Sequence, residues 1–166
     1  MKILLIKFRN IGDVLLSTPL VNNLRHHYPR AKIDFCINKE TEAMLTLNPN
    51  LNEIYTYDRV NVKSLNSISR IMEEVRFICF FKKQKYDIVI NLTNGDRGNL
   101  IAWWAKSPIR IGCSNKNWFF RKALTHQIPS QGLRHTVEVS LDPLRALNIP
   151  IANKKVEIFW SLRMIK

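Results

Sequence analysis

Short apolar runs alternate with helical periods along most of the chain. Five runs bounded by polar or turn residues predict buried strands: Ile3–Phe8, Lys32–Ile37, Glu53–Tyr57, Asp87–Leu92 and Ile109–Gly112. Helical spacing predicts helices between and after them: Leu20–His27, Thr41–Leu47, Ser64–Lys83, Leu100–Ala105 and Arg134–Leu147. Because strands alternate with helices, the pattern predicts an α/β domain whose parallel sheet is covered by helices on both faces.

Two aromatic groups stand out in the second half of the chain. Trp103 and Trp104 end a predicted helix, and residues 118–120 are Trp-Phe-Phe inside a stretch, 115–126, whose pattern favours neither helix nor strand. We interpret both groups as core. The second group lies among basic residues, and this mixture also suits a surface that contacts anionic lipid.

Composition limits the partners that the chain can have. Its 166 residues are 46% hydrophobic, which is typical of one globular domain. Lys and Arg number 26 against 13 acidic residues, for a net charge of +13. That surplus favours a polyanionic partner, namely nucleic acid, an anionic membrane face or a phosphorylated substrate, although a basic surface kept for solubility is the alternative. The scattered cysteines Cys36, Cys79 and Cys113 indicate neither disulfides nor zinc, and predict a reducing, cytoplasmic location.

The first candidate site follows the first strand, where the chain reads Asn10-Ile11-Gly12-Asp13. Ligands of α/β proteins bind at the carboxyl ends of strands, and a glycine there lets the backbone approach a ligand closely. Asp13 could accept a proton from a substrate hydroxyl. It could equally be a carboxylate placed at a helix start for capping and dipole reasons. Spacing alone leaves both interpretations open.

A second candidate, Asn94–Gly98, follows the fourth predicted strand. Asp96 and Arg97 could line the same crevice as Asp13, or form a surface ion pair beside an Asn-Gly turn. The segment is neither a Walker A loop nor a GxGxxG turn. The chain also has no HExxH, no His/Cys cluster and no Asp-x-Asp, so we expect no metal site.

The pattern of polar and apolar residues changes near the end of the chain. After Pro150 the sequence becomes polar, and Val156–Trp160 then has the pattern of another strand. We expect one domain over residues 1–150, and in residues 151–166 a linker and the first strand of a missing second domain.

Three segments carry a family resemblance. The run KILLIKFRNIGDVLLSTPLVNNLRHHYP resembles the opening of the ADP-heptose:lipopolysaccharide heptosyltransferases of glycosyltransferase family 9, bacterial enzymes that build the inner core. The runs YDIVINLTNGDRGNLIAWWAKSPIRIG and RHTVEVSLDPLRALNIP resemble later parts of the same family, most of all its heptosyltransferase III-like branch. The resemblance implies a GT-B fold of two facing Rossmann-like halves, of which this chain is the N-terminal, acceptor-side half.

The resemblance also implies a chemistry. Asp13 matches the general base of an inverting, metal-independent transfer from ADP-heptose, with no other cofactor. The acceptor is a phosphorylated lipopolysaccharide core at the cytoplasmic face of the inner membrane, so the chain is expected to be cytoplasmic and peripheral to that anionic surface. Further substrate contacts are expected from both candidate loops: Arg9 and Asn10 orient substrate or phosphate, Gly12 leaves room for the sugar, and Asp96 and Arg97 line the opposite wall.

The chain departs from the family in length, because members are about double its size. We therefore expect a truncated enzyme that is inactive alone. One alternative is a non-catalytic module that binds the acceptor or the membrane surface. A nucleic-acid-binding domain is the other, but no recognition helix or RNA-binding signature supports it.

Overall fold

The computed structural model describes residues 1–113, 122–129 and 132–160. This part of the chain contains a six-stranded sheet with the order β3-β2-β1-β4-β5-β6, and every neighbouring pair is parallel. The strands are β1 Lys2–Lys7, β2 Lys32–Asn38, β3 Glu53–Tyr57, β4 Ile88–Asn91, β5 Ile109–Cys113 and β6 His126–Ile128. The predicted α/β class and the parallel sheet are confirmed. Strand β6 was not predicted from the sequence, because its three residues are too few to show an alternating pattern.

Helices cover both faces of the sheet. They are α1 Ile11–Leu15, α2 Thr18–His27, a 3₁₀ helix Lys39–Met44, α3 Arg59–Ser64, α4 Ser67–Lys83, α5 Asp96–Trp104, α6 Thr136–Ser140 and α7 Asp142–Ala146. Helices α2, α6 and α7 pack with Ile3 and Leu5 of β1 on one face. Helices α4 and α5 pack with Leu4 and Ile6 on the other. Strand β1 is therefore buried on both sides, which explains its continuous apolar run.

Capping and proline explain where the helices differ from prediction. The predicted helix Ser64–Lys83 starts later, at Ser67, because the Asn66 side chain accepts a hydrogen bond from the Ser69 amide (2.9 Å) and caps α4 there. The separate helix α3 ends at Ser64. The predicted helix Arg134–Leu147 breaks at Leu141, ahead of Pro143, which has no amide proton to continue it. Helix α5 begins at Asp96, inside the predicted loop.

The interpretation of Trp103 and Trp104 as core is wrong. Both are more than a third exposed, at 42% and 36%. The inward positions of α5 are taken by Ile101, Ala102 and Ala105, and the helical period then turns both tryptophans outward. The other aromatic group, residues 118–120, lies outside the described residues.

Residues 151–160 have no regular secondary structure and lie against α2. Asn23 accepts a hydrogen bond from the Ala152 amide (2.6 Å) and donates one to the Asn153 carbonyl (2.7 Å). The Glu157 amide donates to the Thr18 hydroxyl (3.1 Å). A second domain starting within residues 151–166 stays a prediction, and residues 161–166 lie outside the described part. In the described ranges, no helix combines the length and apolarity that crossing a bilayer requires.

A buried polar cluster joins the end of β4 to α5. The Asn91 amide group donates to Asn99 Oδ1 (2.8 Å), and Asn91 Oδ1 accepts from the Thr93 amide (3.0 Å). A Cβ atom on Gly98 would lie 2.2 Å from Asn91 Oδ1. The close approach of α5 to the sheet therefore depends on the missing side chain of Gly98.

We predict that Gly98→Ala lowers the free energy of unfolding by about 1–3 kcal/mol, because the new methyl group displaces Asn91 and breaks its buried hydrogen bonds. Urea unfolding followed by circular dichroism measures this. Gly12→Ala is the matched control, since no atom lies within 4 Å of its added Cβ and stability should not fall. Wild-type stability in Gly98→Ala would contradict the prediction.

Candidate functional site

Both predicted loops lie at one edge of the sheet. The first follows β1 and the second follows β4, and these strands are parallel neighbours. Their carboxyl ends therefore meet at the same edge, where ligands of open α/β sheets bind. The structure brings the two groups of predicted residues to the same edge, as the sequence indicated.

Asp13 lies in the first turn of α1 and is half-buried. The N-cap position belongs to Asn10, whose side chain makes no capping hydrogen bond. Asp13 is therefore not the capping residue, although its place in the first turn still suits the helix dipole. Its carbonyl oxygen accepts a hydrogen bond from the Ser17 hydroxyl (2.8 Å), which ties the short helix to the start of α2.

The surface beside Asp13 is open. Arg9, Asn10 and Gly12 are all exposed, and a methyl group added to Gly12 would meet no protein atom within 4 Å. The Arg9 carbonyl accepts a hydrogen bond from the Asn38 side chain (3.3 Å), so the end of β2 supports this loop. The backbone of α1 at Gly12 is therefore open to close approach from solvent.

Lys7 also lies at this edge, although the sequence pattern did not single it out. It is the last residue of β1 and only 4% exposed. Burial lowers the pKa of Lys7, and the negative charge of Asp13 opposes that shift. Burial likewise raises the pKa of the Cys113 thiol at the end of β5, with Lys7 opposing. In the sequence, the only indication of this position was a lysine at the end of an apolar strand.

Arg97 is held by its neighbours. Its guanidinium donates to both carboxylate oxygens of Glu74 (2.6 and 3.1 Å) and lies 4.1 Å from the centre of the Tyr57 ring. The Tyr57 hydroxyl also donates to Glu74 (2.5 Å). This cluster joins the end of β3 to α4 and α5. Arg97 thus pairs with Glu74 of α4, a residue outside the predicted segment, while Asp96 lies exposed at the start of α5.

The cluster shifts the pKa values of its members. Burial and the hydrogen bond to Glu74 raise the pKa of Tyr57 to about 12. Burial alone would raise the pKa of Glu74, but hydrogen bonds from Arg97 and Tyr57 outweigh it and lower that pKa. Glu74 is therefore ionised in the folded protein at neutral pH. Elsewhere in the described ranges, no group of three or more His, Cys, Asp and Glu side chains is arranged to hold a metal ion.

Known proteins resemble this chain in sequence and in fold. The chain is 29% identical over 141 residues to lipopolysaccharide heptosyltransferase 3 of Escherichia coli, a match that covers 83% of this chain and 40% of that protein. A glycosyltransferase family 9 crystal structure from Veillonella parvula superposes with a TM-score of 0.78 at 28% identity, over 98% of this chain and 45% of the other. E. coli heptosyltransferase WaaC, solved with ADP-2-deoxy-2-fluoro heptose, superposes with a TM-score of 0.77 over 95% of this chain and 51% of the other. Because the identity is only 15%, this match shows the fold alone. No protein-family model matches the sequence.

The all-parallel sheet with its polar carboxyl edge is the fold of the N-terminal domain of GT-B glycosyltransferases. More particularly, the homologues of this chain are lipopolysaccharide heptosyltransferases and glycosyltransferase family 9 structures, so the resemblance expected from the sequence is confirmed. The relatives that the chain matches are glycosyltransferases. It spans 40% of the length of the E. coli relative, which is consistent with an N-terminal half.

We predict that Arg97→Met lowers the free energy of unfolding by about 1 kcal/mol at neutral pH, because it leaves Glu74 half-buried without its cation. The folded-state pKa of Glu74 is lowered, so its stabilisation is present above the unfolded pKa of about 4.3 and is lost as pH falls through the folded value. The difference between variant and wild type should therefore shrink below about pH 4. Urea unfolding across this pH range measures it.

Glu74→Gln is the matched variant. It removes the charge of the other partner in the same ion pair, so the free energy of unfolding should fall by a similar amount. A different result, in which Arg97→Met keeps full stability and only weakens binding of a phosphorylated acceptor, would show that Arg97 serves the substrate rather than the fold.

Proposed function

We propose that this chain is the acceptor-side half of an inverting lipopolysaccharide inner-core heptosyltransferase. One observation carries the proposal: a chain whose homologues are heptosyltransferases has a half-buried carboxylate, Asp13, at the carboxyl edge of its sheet, between the open surface of Gly12 and the buried Lys7. This edge is where α/β folds bind their ligands.

In the proposed reaction, an acceptor hydroxyl oxygen attacks the anomeric carbon of ADP-heptose. The bond from that carbon to the diphosphate oxygen breaks, ADP leaves, and Asp13 takes the proton of the attacking hydroxyl. Attack on the face opposite the leaving group inverts the anomeric centre. The proposal that no metal ion takes part rests on the family resemblance.

The neighbouring residues have separate proposed roles. The open space at Gly12 accommodates the acceptor sugar, and the exposed Arg9 and Asn10 contact its hydroxyl or phosphate groups. Asp96, exposed at the start of α5, lines the opposite wall. Arg97 contributes to that wall while it is held by Glu74.

The proposed setting is the cytoplasmic face of the bacterial inner membrane. The acceptor is a phosphorylated glycolipid, and the 26 basic against 13 acidic residues suit both its phosphates and an anionic lipid surface rather than nucleic acid. The donor-binding half belongs to the complete enzyme.

We expect the 166-residue chain by itself to bind phosphorylated core oligosaccharide but to transfer little or no heptose, because the acceptor side alone does not hold the donor. Calorimetry measures binding, and release of ADP measures transfer. Transfer at a rate near that of a full-length relative would contradict this expectation.

The role of Asp13 is tested in a full-length homologous heptosyltransferase that carries the equivalent of Asp13→Asn. Turnover should fall by roughly 10²–10⁴-fold, since the amide cannot accept the proton. Acceptor affinity should persist, and the same substitution in the present chain checks this directly. Undiminished turnover would exclude Asp13 as the base.

A further inference from the structure

Helix α4 carries a stripe of large apolar side chains that the sheet does not cover. Of its residues only Phe81 is fully buried. Four side chains spaced i, i+3, i+4 and i+7 lie on the outer face and are mostly exposed: Ile68 74%, Ile71 63%, Met72 66% and Val75 53%. A contiguous apolar surface of this kind marks a binding surface.

Helix α5 continues this apolar surface. Trp103 and Trp104 lie side by side, with ring centres 5.6 Å apart. Together with α4 they form an apolar groove of about 200 Å³, lined by Val75, Ile78, Cys79, Leu100, Trp103 and Trp104. Val75 belongs both to the stripe of α4 and to the lining of the groove, so the two features form one surface.

The same tryptophans border a cationic groove. It has a volume of about 430 Å³ and is lined by Trp103, Trp104, Lys82, Lys106 and Arg110, with no carboxylate among them. The Lys82 ammonium lies 5.5 Å from the centre of the Trp104 ring. From Val75 to Lys85 the chain has four basic residues and no acidic one.

We propose that this α4–α5 surface, made of the stripe Ile68, Ile71, Met72, Val75 with Trp103, Trp104, Lys82, Lys106 and Arg110, docks on an anionic phospholipid bilayer. Tryptophans prefer the headgroup level of a membrane, with their apolar part toward the acyl chains. The cations beside them meet lipid phosphates, while the stripe enters the acyl boundary.

Charge selects lipid over other occupants of this surface. A second copy of the chain would bring Lys82, Lys106 and Arg110 against the same three cations, which repel. The described tail does not cover the surface either, because residues 152–157 are held by α2 on the opposite face of the sheet. An anionic bilayer supplies both the apolar phase and the missing negative charge.

Helix α4 connects the proposed docking surface to the edge of the sheet that holds Asp13. Helix α4 begins at the carboxyl edge of the sheet, where Glu74 pairs with Arg97, and runs toward the opposite edge. Docking along α4 therefore lays both edges of the sheet along the bilayer, with the stripe near the edge that holds Asp13 and the tryptophans and their cations near the opposite edge. This consequence rests on the proposed function, since it explains how a membrane glycolipid reaches Asp13, whereas lipid binding itself is measured without any transferase assay.

The experiment is cosedimentation of the full 166-residue chain with vesicles of phosphatidylcholine, or of equal parts phosphatidylcholine and phosphatidylglycerol. We expect binding to the anionic vesicles at least about tenfold tighter than to the neutral ones. Ile71→Ser with Val75→Ser should weaken anionic-vesicle binding roughly tenfold or more. Lys82→Gln with Lys106→Gln should weaken it by a similar factor.

Two matched controls test the location. Leu133→Ser with Ile158→Ser removes two exposed apolar side chains elsewhere, and Arg30→Gln with Lys32→Gln removes the same net charge beyond the end of α2. Both should bind as wild type. All altered side chains of the stripe are exposed, and circular dichroism confirms that each variant is folded.

Equal weakening by the controls, or unchanged binding by both α4–α5 variants, would overturn the proposal. So would wild-type self-association that Ile71→Ser with Val75→Ser abolishes while vesicle binding persists. Vesicle binding without binding of phosphorylated core oligosaccharide would defeat the proposed function alone, and failure of vesicle binding would defeat this inference alone.

Discussion

The structure depends on parallel pairing of β1 between β2 and β4 with helices packed on both faces. Under this constraint β1 must be apolar on both sides, as Ile3 and Leu5 on one face and Leu4 and Ile6 on the other show. Polar groups can then emerge only where the strand ends. Lys7 and Asp13 emerge there, which places a buried lysine and a half-buried aspartate at the edge shared by all the parallel strands.

Two further contacts shape that edge. The absence of a side chain on Gly98 lets α5 approach Asn91. The Phe8 amide donates a hydrogen bond to the Thr93 hydroxyl (2.9 Å), which links the end of β1 to the end of β4. The Arg97–Glu74 pair, with Tyr57 against it, then fastens α4 and α5 to the end of β3. The edge is thus built from buried polar contacts, while its outer surface at Arg9, Asn10 and Gly12 stays open for ligand.

The same packing leaves α4 with little contact to the sheet, and its apolar stripe faces outward. The basic residues of the chain therefore lie in two different surroundings. Near Asp13 it is combined with polar groups suited to a phosphorylated sugar, and at the α4–α5 surface with tryptophans and aliphatic side chains suited to lipid. The proposed glycolipid acceptor has both parts.

Sequence alone determined the fold class, most strands and the family resemblance, because buried parallel strands are short apolar runs and the segment around Gly12 and Asp13 is specific. It also placed Asp13 and Asp96 at one edge, since parallel strands end together. Only the tertiary structure decided that Arg97 is paired with Glu74, a residue distant in sequence, and that Lys7 is buried. It also decided which apolar faces are covered. Helical spacing in α4 and at Trp103 predicts a face but not its partner, because burial depends on how many elements pack around a helix and not on its own period.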